Sequence, residues 1–119
     1  GLVASGSRNA DLLVTISNDT WFGASIGPLQ HLEMARMRAL ENGRYLLRGT
    51  NNGVTAIIDH RGRVRARTRQ FEETTLVGDA RAMLGHTPFT SFGPLPTIAA
   101  CLGTLLLLKL LALTAWRTR

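Results

Sequence analysis

From Thr87 to Leu108 the chain carries no charged residue. The stretch TIAACLGTLLLLKLLALTAW, residues 97–116, carries one, Lys109. No other feature restricts the fold as strongly. Twenty helical residues reach about 30 Å, close to the hydrocarbon thickness of a bilayer. A helix that is apolar all round belongs in a membrane or in the middle of a large core, and 119 residues supply too little protein to surround one. Lys109 lies about two turns from the end of the stretch, so its stem can follow the helix while the ammonium reaches the headgroups. Trp116 suits an interface, and Arg117 and Arg119 behind it favour the cytoplasmic side. The reading is a transmembrane helix over 97–116, a cytoplasmic tail over 117–119, and an irregular linker over 87–96 rich in Pro and Gly. The chain opens at Gly1 without a Met and reads as a piece of a longer protein.

Residues 1–86 read as an α/β layer. Gly1 to Asn9 fits the tail of a helix. DLLVTIS, residues 11–17, is a near-continuous apolar run of the kind found in strands buried on both faces. Pro28 suits a helix start, where its missing N–H has no intrahelical partner. Leu29, Leu32, Ala35, Met37 and Leu40 then give an apolar stripe that Gly43 ends. RYLLRGTNNGVTAIIDHRGRVRARTRQ reads as three strands with turns at Asn52-Gly53 and Arg61-Gly62, and TTLVGDA as a last short strand. Residues 81–96 read as irregular.

Charge narrows the partners. Lys and Arg number 14 against 8 Asp and Glu, a net charge of +6 that favours an anionic surface. Arg61, Arg63, Arg65, Arg67 and Arg69 recur at every second position, which in an unbroken strand puts them on one face. Such a face suits phospholipid headgroups, or simply keeps an edge strand soluble. Nucleic acid is not expected as a partner: the arginines lack the interleaved aromatics that single-strand binders stack on, and a membrane span argues for an exported domain.

The residues supply no reaction by themselves. Cys101 lies within the apolar span with no base near it. Ser17 and Ser25 lack a nucleophile-elbow context, and His31, His60 and His86 lack metal-ligand spacing, so neither metal nor cofactor is expected. Arg38 and Glu41 stand three apart on the helix and can pair, and Glu41 could also meet Arg44 or Arg48. What does stand out is SNDTWFG, residues 17–23. It places an indole on a loop at the C-terminal end of a strand, where α/β proteins bind ligands.

LLVTISNDTWFG, followed by GPLQHLEMARMRALENGRYLLRGTNNGVTAIIDHRGRV, resembles the C-terminal part of the bacterial apolipoprotein N-acyltransferases. Their exported domain is of the nitrilase, or carbon–nitrogen hydrolase, type. The resemblance covers roughly residues 10–119 and includes the final apolar helix. It implies a partial nitrilase-like α-β-β-α sandwich layer over 1–86, ahead of the single membrane helix. It implies acyl transfer from a phospholipid donor, through a Cys thioester, to the N-terminal diacylglyceryl-Cys of a diacylated apolipoprotein acceptor. It further implies a bacterial inner membrane location with a periplasmic globular part. The Glu–Lys–Cys triad of such enzymes has no match here and is expected upstream, so no residue of this stretch is expected to be catalytic and the stretch alone is expected to be inactive. Trp21 matches a tryptophan of the loop beside the catalytic Cys and is expected to wall the acyl pocket, with Asn18, Asp19 and Phe22 as further pocket or substrate contacts. Gly23, His31, Arg38, Glu41, Asn52 and Gly53 are expected to support the structure. Two other readings compete. One is a membrane-anchored nitrilase-type amidase. The other is a non-enzymatic tail-anchored module that binds anionic lipid through its arginines.

Overall fold

The computed structural model describes residues 6–117, with the side chains of Arg8 and of 114–117 outside the described part. The expected helix tail over 1–9 therefore falls mostly outside it, and what is described there is a short 3-10 turn, Ser7–Asn9. The interface role expected of Trp116 and of the arginines after it lies outside as well.

Four strands form one sheet in the order β1 (Leu12–Ser17), β2 (Tyr45–Thr50), β3 (Ala56–Ile58) and β4 (Val64–Arg67). β1 and β2 run parallel, with Leu12 opposite Tyr45 and Ser17 opposite Thr50. β3 and β4 follow as antiparallel hairpins. A parallel pair needs a crossover, supplied by α1 (Gly27–Asn42) with Pro28 in its first turn. Gly43 ends α1 at φ 61°, a left-handed conformation that costs glycine little, and its N–H returns to the carbonyls of Ala39 and Leu40.

One face of the sheet is closed and the other is open. Leu32, Ala35 and Ala39 of α1 pack on Leu46, Val54, Ala56 and Ile58, with Leu13 and Val64 at the margin. The stripe expected on α1 is thus shifted: Ala39 is buried, while Leu29, Met37 and Leu40 are exposed. β1 was expected to be buried on both sides, but it alternates. Val14 is 64% and Ile16 87% exposed on the face away from α1. A continuous apolar run does not reveal from sequence which of its faces will be covered.

TTLVGDA forms no strand. It belongs to an irregular strap over 68–87 that crosses the open face, where Gly78 packs closely against the tip of the Ile57 side chain. The strap is tied down at the start of β1, since Met83 N–H donates to the Asp11 carbonyl at 3.0 Å. Arg44, buried, donates to the carbonyls of Ala10 (2.6 Å) and Gly85 (2.7 Å) and so staples strap and strand together. Within the stretch expected to be irregular lies a one-turn helix, α2 (Pro88–Phe92). Thr87 caps it by accepting from Thr90 N–H and donates its own hydroxyl to the Glu41 carbonyl at the end of α1. A Thr-Pro pair before an apolar residue is a helix-start signal that the Pro/Gly-rich composition obscured.

α3 (Leu95–Arg117) is the apolar helix. Its window Leu95–Leu113 has mean hydropathy 2.0, and none of it is buried against the rest of the chain. It is one helix long and apolar enough to cross a membrane.

Candidate functional site

β1 and β2 both end at the same edge of the sheet, and there the SNDTWFG loop turns. Asn18 Oδ1 accepts from Thr20 N–H (3.1 Å), and a 3-10 turn, Thr20–Phe22, carries Trp21 outward. Gly23, at φ 49°, releases the chain toward α1. Trp21 is 79% exposed.

The loop is pinned from below by Asp19, whose side chain is fully buried. Its Oδ1 accepts from Ser17 Oγ (2.6 Å) and from His31 Nδ1 (3.0 Å), and its Oδ2 accepts from a terminal nitrogen of Arg48 (2.8 Å). Its own N–H donates to Asn51 Oδ1 (3.1 Å). The carboxylate thus joins β1, α1 and β2, and the backbone N–H of the same residue adds the β2–β3 turn. Burial pushes its pKa up, but the hydrogen bonds from Ser17 and His31 and the positive charge of Arg48 outweigh burial and hold it below the usual carboxylate value. An ionised carboxylate can only accept, so His31 donates to Asp19 through Nδ1–H. The imidazole also stands edge-on to Phe22, with centroids 4.8 Å apart.

Asn51 and Asn52 reach the same loop from the β2–β3 turn. Asn51 Nδ2 donates to Asn18 Oδ1 and Thr20 Oγ1, both at 2.7 Å, and Asn52 Nδ2 approaches Thr20 Oγ1 at 3.4 Å. Gly53 is expected as a turn glycine, where a positive φ is the usual reason for glycine. It does not adopt one; it is glycine because a Cβ would run into the Asp19 carboxylate. Gly27 is held to the same size limit by Phe22.

An open cleft of about 300 Å³ lies beside this hub, lined by Ser17, His31, Met34, Arg38 and Arg48 among others. Its lining does not include Trp21. Arg48 is buried, and its Nε finds no hydrogen-bond partner. A second groove, of about 530 Å³, runs past Ile26, Leu29 and Leu32 to Arg67.

The residues named from sequence therefore separate. Asn18, Asp19, Phe22, His31, Asn52 and Gly53 gather around the loop, while Arg38, at the cleft's far side, forms an ion pair with Glu41 at 2.9 Å further along α1. Glu41 meets neither Arg44 nor Arg48. The first binds carbonyls and the second binds Asp19. Arg48, Ser17, Thr20 and Asn51 were missed as members of the site. A signal existed for Arg48: a charged residue at an inward position of an apolar strand needs an acid partner. Among the described residues no group of three His, Cys, Asp or Glu could hold a metal ion. The arrangement is a rigid pedestal under an exposed indole, with a basic cleft at its side.

Residues 1–89 match the carbon–nitrogen hydrolase family. An apolipoprotein N-acyltransferase of Pseudomonas syringae pv. tomato is 54% identical over 96 residues, which is 81% of this chain and 19% of that protein. The Azotobacter vinelandii protein of that name is 59% identical over 83 residues (70% and 16%), and the Vibrio vulnificus one 53% over 88 (74% and 17%). The chain spans about a fifth of the length of these relatives. The match covers the strand, the loop that Asp19 holds and the hairpin sheet behind them, and by it this chain belongs to the carbon–nitrogen hydrolase family.

Proposed function

We propose that this chain is part of a phospholipid:apolipoprotein N-acyltransferase and supplies the loop that shapes its acyl-binding site. In the reaction, a Cys thiolate attacks the ester carbonyl of a phospholipid, forming a thioester and releasing the lysophospholipid. The amine of a diacylglyceryl-Cys then attacks the thioester, forming the amide and freeing the thiol. The Cys, its general base Glu and the oxyanion-stabilising Lys are expected outside these 119 residues, so this stretch alone has no activity. The globular part faces the periplasm and α3 crosses the inner membrane, with its C-terminus cytoplasmic.

One observation carries this reading best. A large apolar side chain is held in solvent on a loop that Asp19, bonded through its buried carboxylate to three side chains and through its backbone N–H to a fourth, keeps rigid. An indole held out on a rigid support offers large apolar area at little ordering cost to an apolar partner that covers it. An acyl chain or its thioester is such a partner. Phe22 and the polar tips of Asn18 and Asn51 would border it. The test is Trp21→Ala in the full-length enzyme, assayed for transfer of a labelled acyl chain. A fall of about tenfold or more in kcat/KM, with Trp21→Phe retaining most activity, is expected. Unchanged transfer in Trp21→Ala would remove the loop from the site.

A further inference from the structure

The five arginines do not form the one-faced ladder that their spacing suggests. Only Arg65 and Arg67 lie in β4, and a register shift between Ile57 and Ile58 interrupts the alternation. Ile58 pairs with Val64 but Ile57 with Ala66, so Arg65 is the extra residue of a bulge, and Arg67, opposite Ala56, falls on the α1 side. Arg61 lies in the β3–β4 turn and Arg63 just after it. All five are exposed. Without them the basic and acidic residues of the chain would nearly balance, so almost the whole net charge of +6 is concentrated on this hairpin.

The topology says where the tip of that hairpin lies. Ile58 stands opposite Leu46, so the β3–β4 turn emerges at the start of β2. Tyr45 and His60, one on each side, have ring centroids 5.9 Å apart. The start of β2 is also where α1 ends, at Asn42, and where Thr87 ties the α2 cap to the Glu41 carbonyl. α2 leads through Gly93 into α3. The arginine tip and the root of the apolar helix therefore share one end of the sheet, while the Trp21 loop occupies the other. The tip itself is firmly built. Asp59, buried, accepts from the N–H groups of Arg61 and Arg63 (both 2.9 Å), and Gly62 turns the chain at φ 72°. Carboxylates at this end offer little competition. Asp59 is occupied beneath the turn, Glu41 is paired with Arg38, and Glu33 is paired with Arg36, whose Nε donates to the Gly62 carbonyl at 2.8 Å; Asp11 is exposed at the start of β1.

We propose that the tip of the β3–β4 hairpin, Arg61 and Arg63 with Arg65 behind them, is a docking surface for the anionic headgroups of the bilayer that α3 enters. Guanidinium groups bind phosphate oxygens in bidentate fashion, and clustered arginines next to a membrane helix are drawn to an anionic leaflet over about a Debye length. Arg67 and Arg69 sit further toward the Trp21 end and stay out of contact. The helix root and the tip then fix the sheet at two points and set its tilt on the membrane, which a single helix could not do.

The test uses the full-length enzyme, with every cysteine other than Cys101 replaced by Ser, in nanodiscs of phosphatidylglycerol or phosphatidylcholine, with a headgroup-nitroxide lipid as quencher. One fluorophore is carried at a time, at Arg61→Cys or Arg69→Cys in a Cys101→Ser background. Native Cys101, labelled alone and read with a mid-chain nitroxide, reports separately whether α3 is inserted. The expected result is strong quenching at 61 and weak quenching at 69 in phosphatidylglycerol, reversed by high salt. Arg63→Gln should shift the ratio of docked to free tip about fivefold toward free. Equal quenching at the two positions, equal quenching in the two lipids, or an unquenched tip with Cys101 inserted would overturn the proposal. The salt arm does not depend on Arg63→Gln, so it decides the matter even where that variant harms folding.

Discussion

Two buried aspartates organise the two ends of the sheet, and they work over very different stretches of sequence. Asp59 is local: it accepts from backbone N–H groups two and four residues on, and its own N–H donates to the Arg63 carbonyl at 2.9 Å. Asp19 gathers Ser17, His31, Arg48 and Asn51, the last two from across the parallel strand pair. The first builds a turn from its own segment. The second builds a site whose parts meet only after β1, α1 and β2 have assembled. Chemically one binds neutral amides and the other a buried guanidinium, so losing the charge should matter far more at Asp19.

That difference sets the largest expected effect. Asp19→Asn leaves Arg48, whose side chain is 4% exposed, without a counter-charge. Breaking one half of a buried ion pair costs about 3–5 kcal/mol. Denaturant unfolding of the detergent-solubilised protein should show such a loss, together with greater protease sensitivity of the 18–27 loop. A loss below about 1 kcal/mol would mean that the hub is not what holds the loop. Gly53→Ala tests the same hub from the other side without touching a charge. The added methyl meets the Asp19 carboxylate, and overpacking of this kind costs about 1–3 kcal/mol. In the double variant Asp19→Ala, Gly53→Ala the collision is removed, so the two costs should fail to add.

The same contrast explains what could be read from the sequence. The hairpin strands, the start of α1 at Pro28, the stop at Gly43 and the turn at Gly62 were legible because each signal lies within a few residues of its effect. The loop was legible as a break after β1, because the polar residues Asn18, Asp19 and Thr20 and the turn residue Gly23 follow the apolar run. The hub beneath it was not, since pairing Asp19 with Arg48 requires the β1–β2 register, which no local pattern states. Gly53 was read as turn chemistry for the same reason: the group it makes room for lies 34 residues away. The arginine ladder failed differently. A period of two holds only while the ladder is unbroken, and one bulge sent Arg67 to the other side. The open face of β1 was missed because an apolar run does not say which of its sides will be covered.

Acid offers the gentlest way to compare the two aspartates, because each has a pKa below the ordinary carboxylate value. At Asp59 burial raises it, but the N–H groups of Arg63 and Arg61, with smaller help from the charges of His60 and Arg63, more than offset burial. A carboxyl group whose pKa is lower folded than unfolded stabilises the fold fully above the unfolded value of about 3.9. That contribution is lost as the pH falls through the lower, folded value. Unfolding midpoints should therefore be flat near neutrality and decline below about pH 4. Asp59→Asn keeps a carbonyl oxygen that can still accept from both N–H groups. It should cost only about 1 kcal/mol at neutral pH, while removing its own share of the acid decline. Asp19→Asn should flatten the acid decline further but from a much lower plateau, since the charge it deletes was holding Arg48. If Asp59→Asn proves as damaging at neutral pH as Asp19→Asn, the Asp59 turn depends on its charge as strongly as the hub does. The contrast between an amide-binding and a guanidinium-binding carboxylate would then fail.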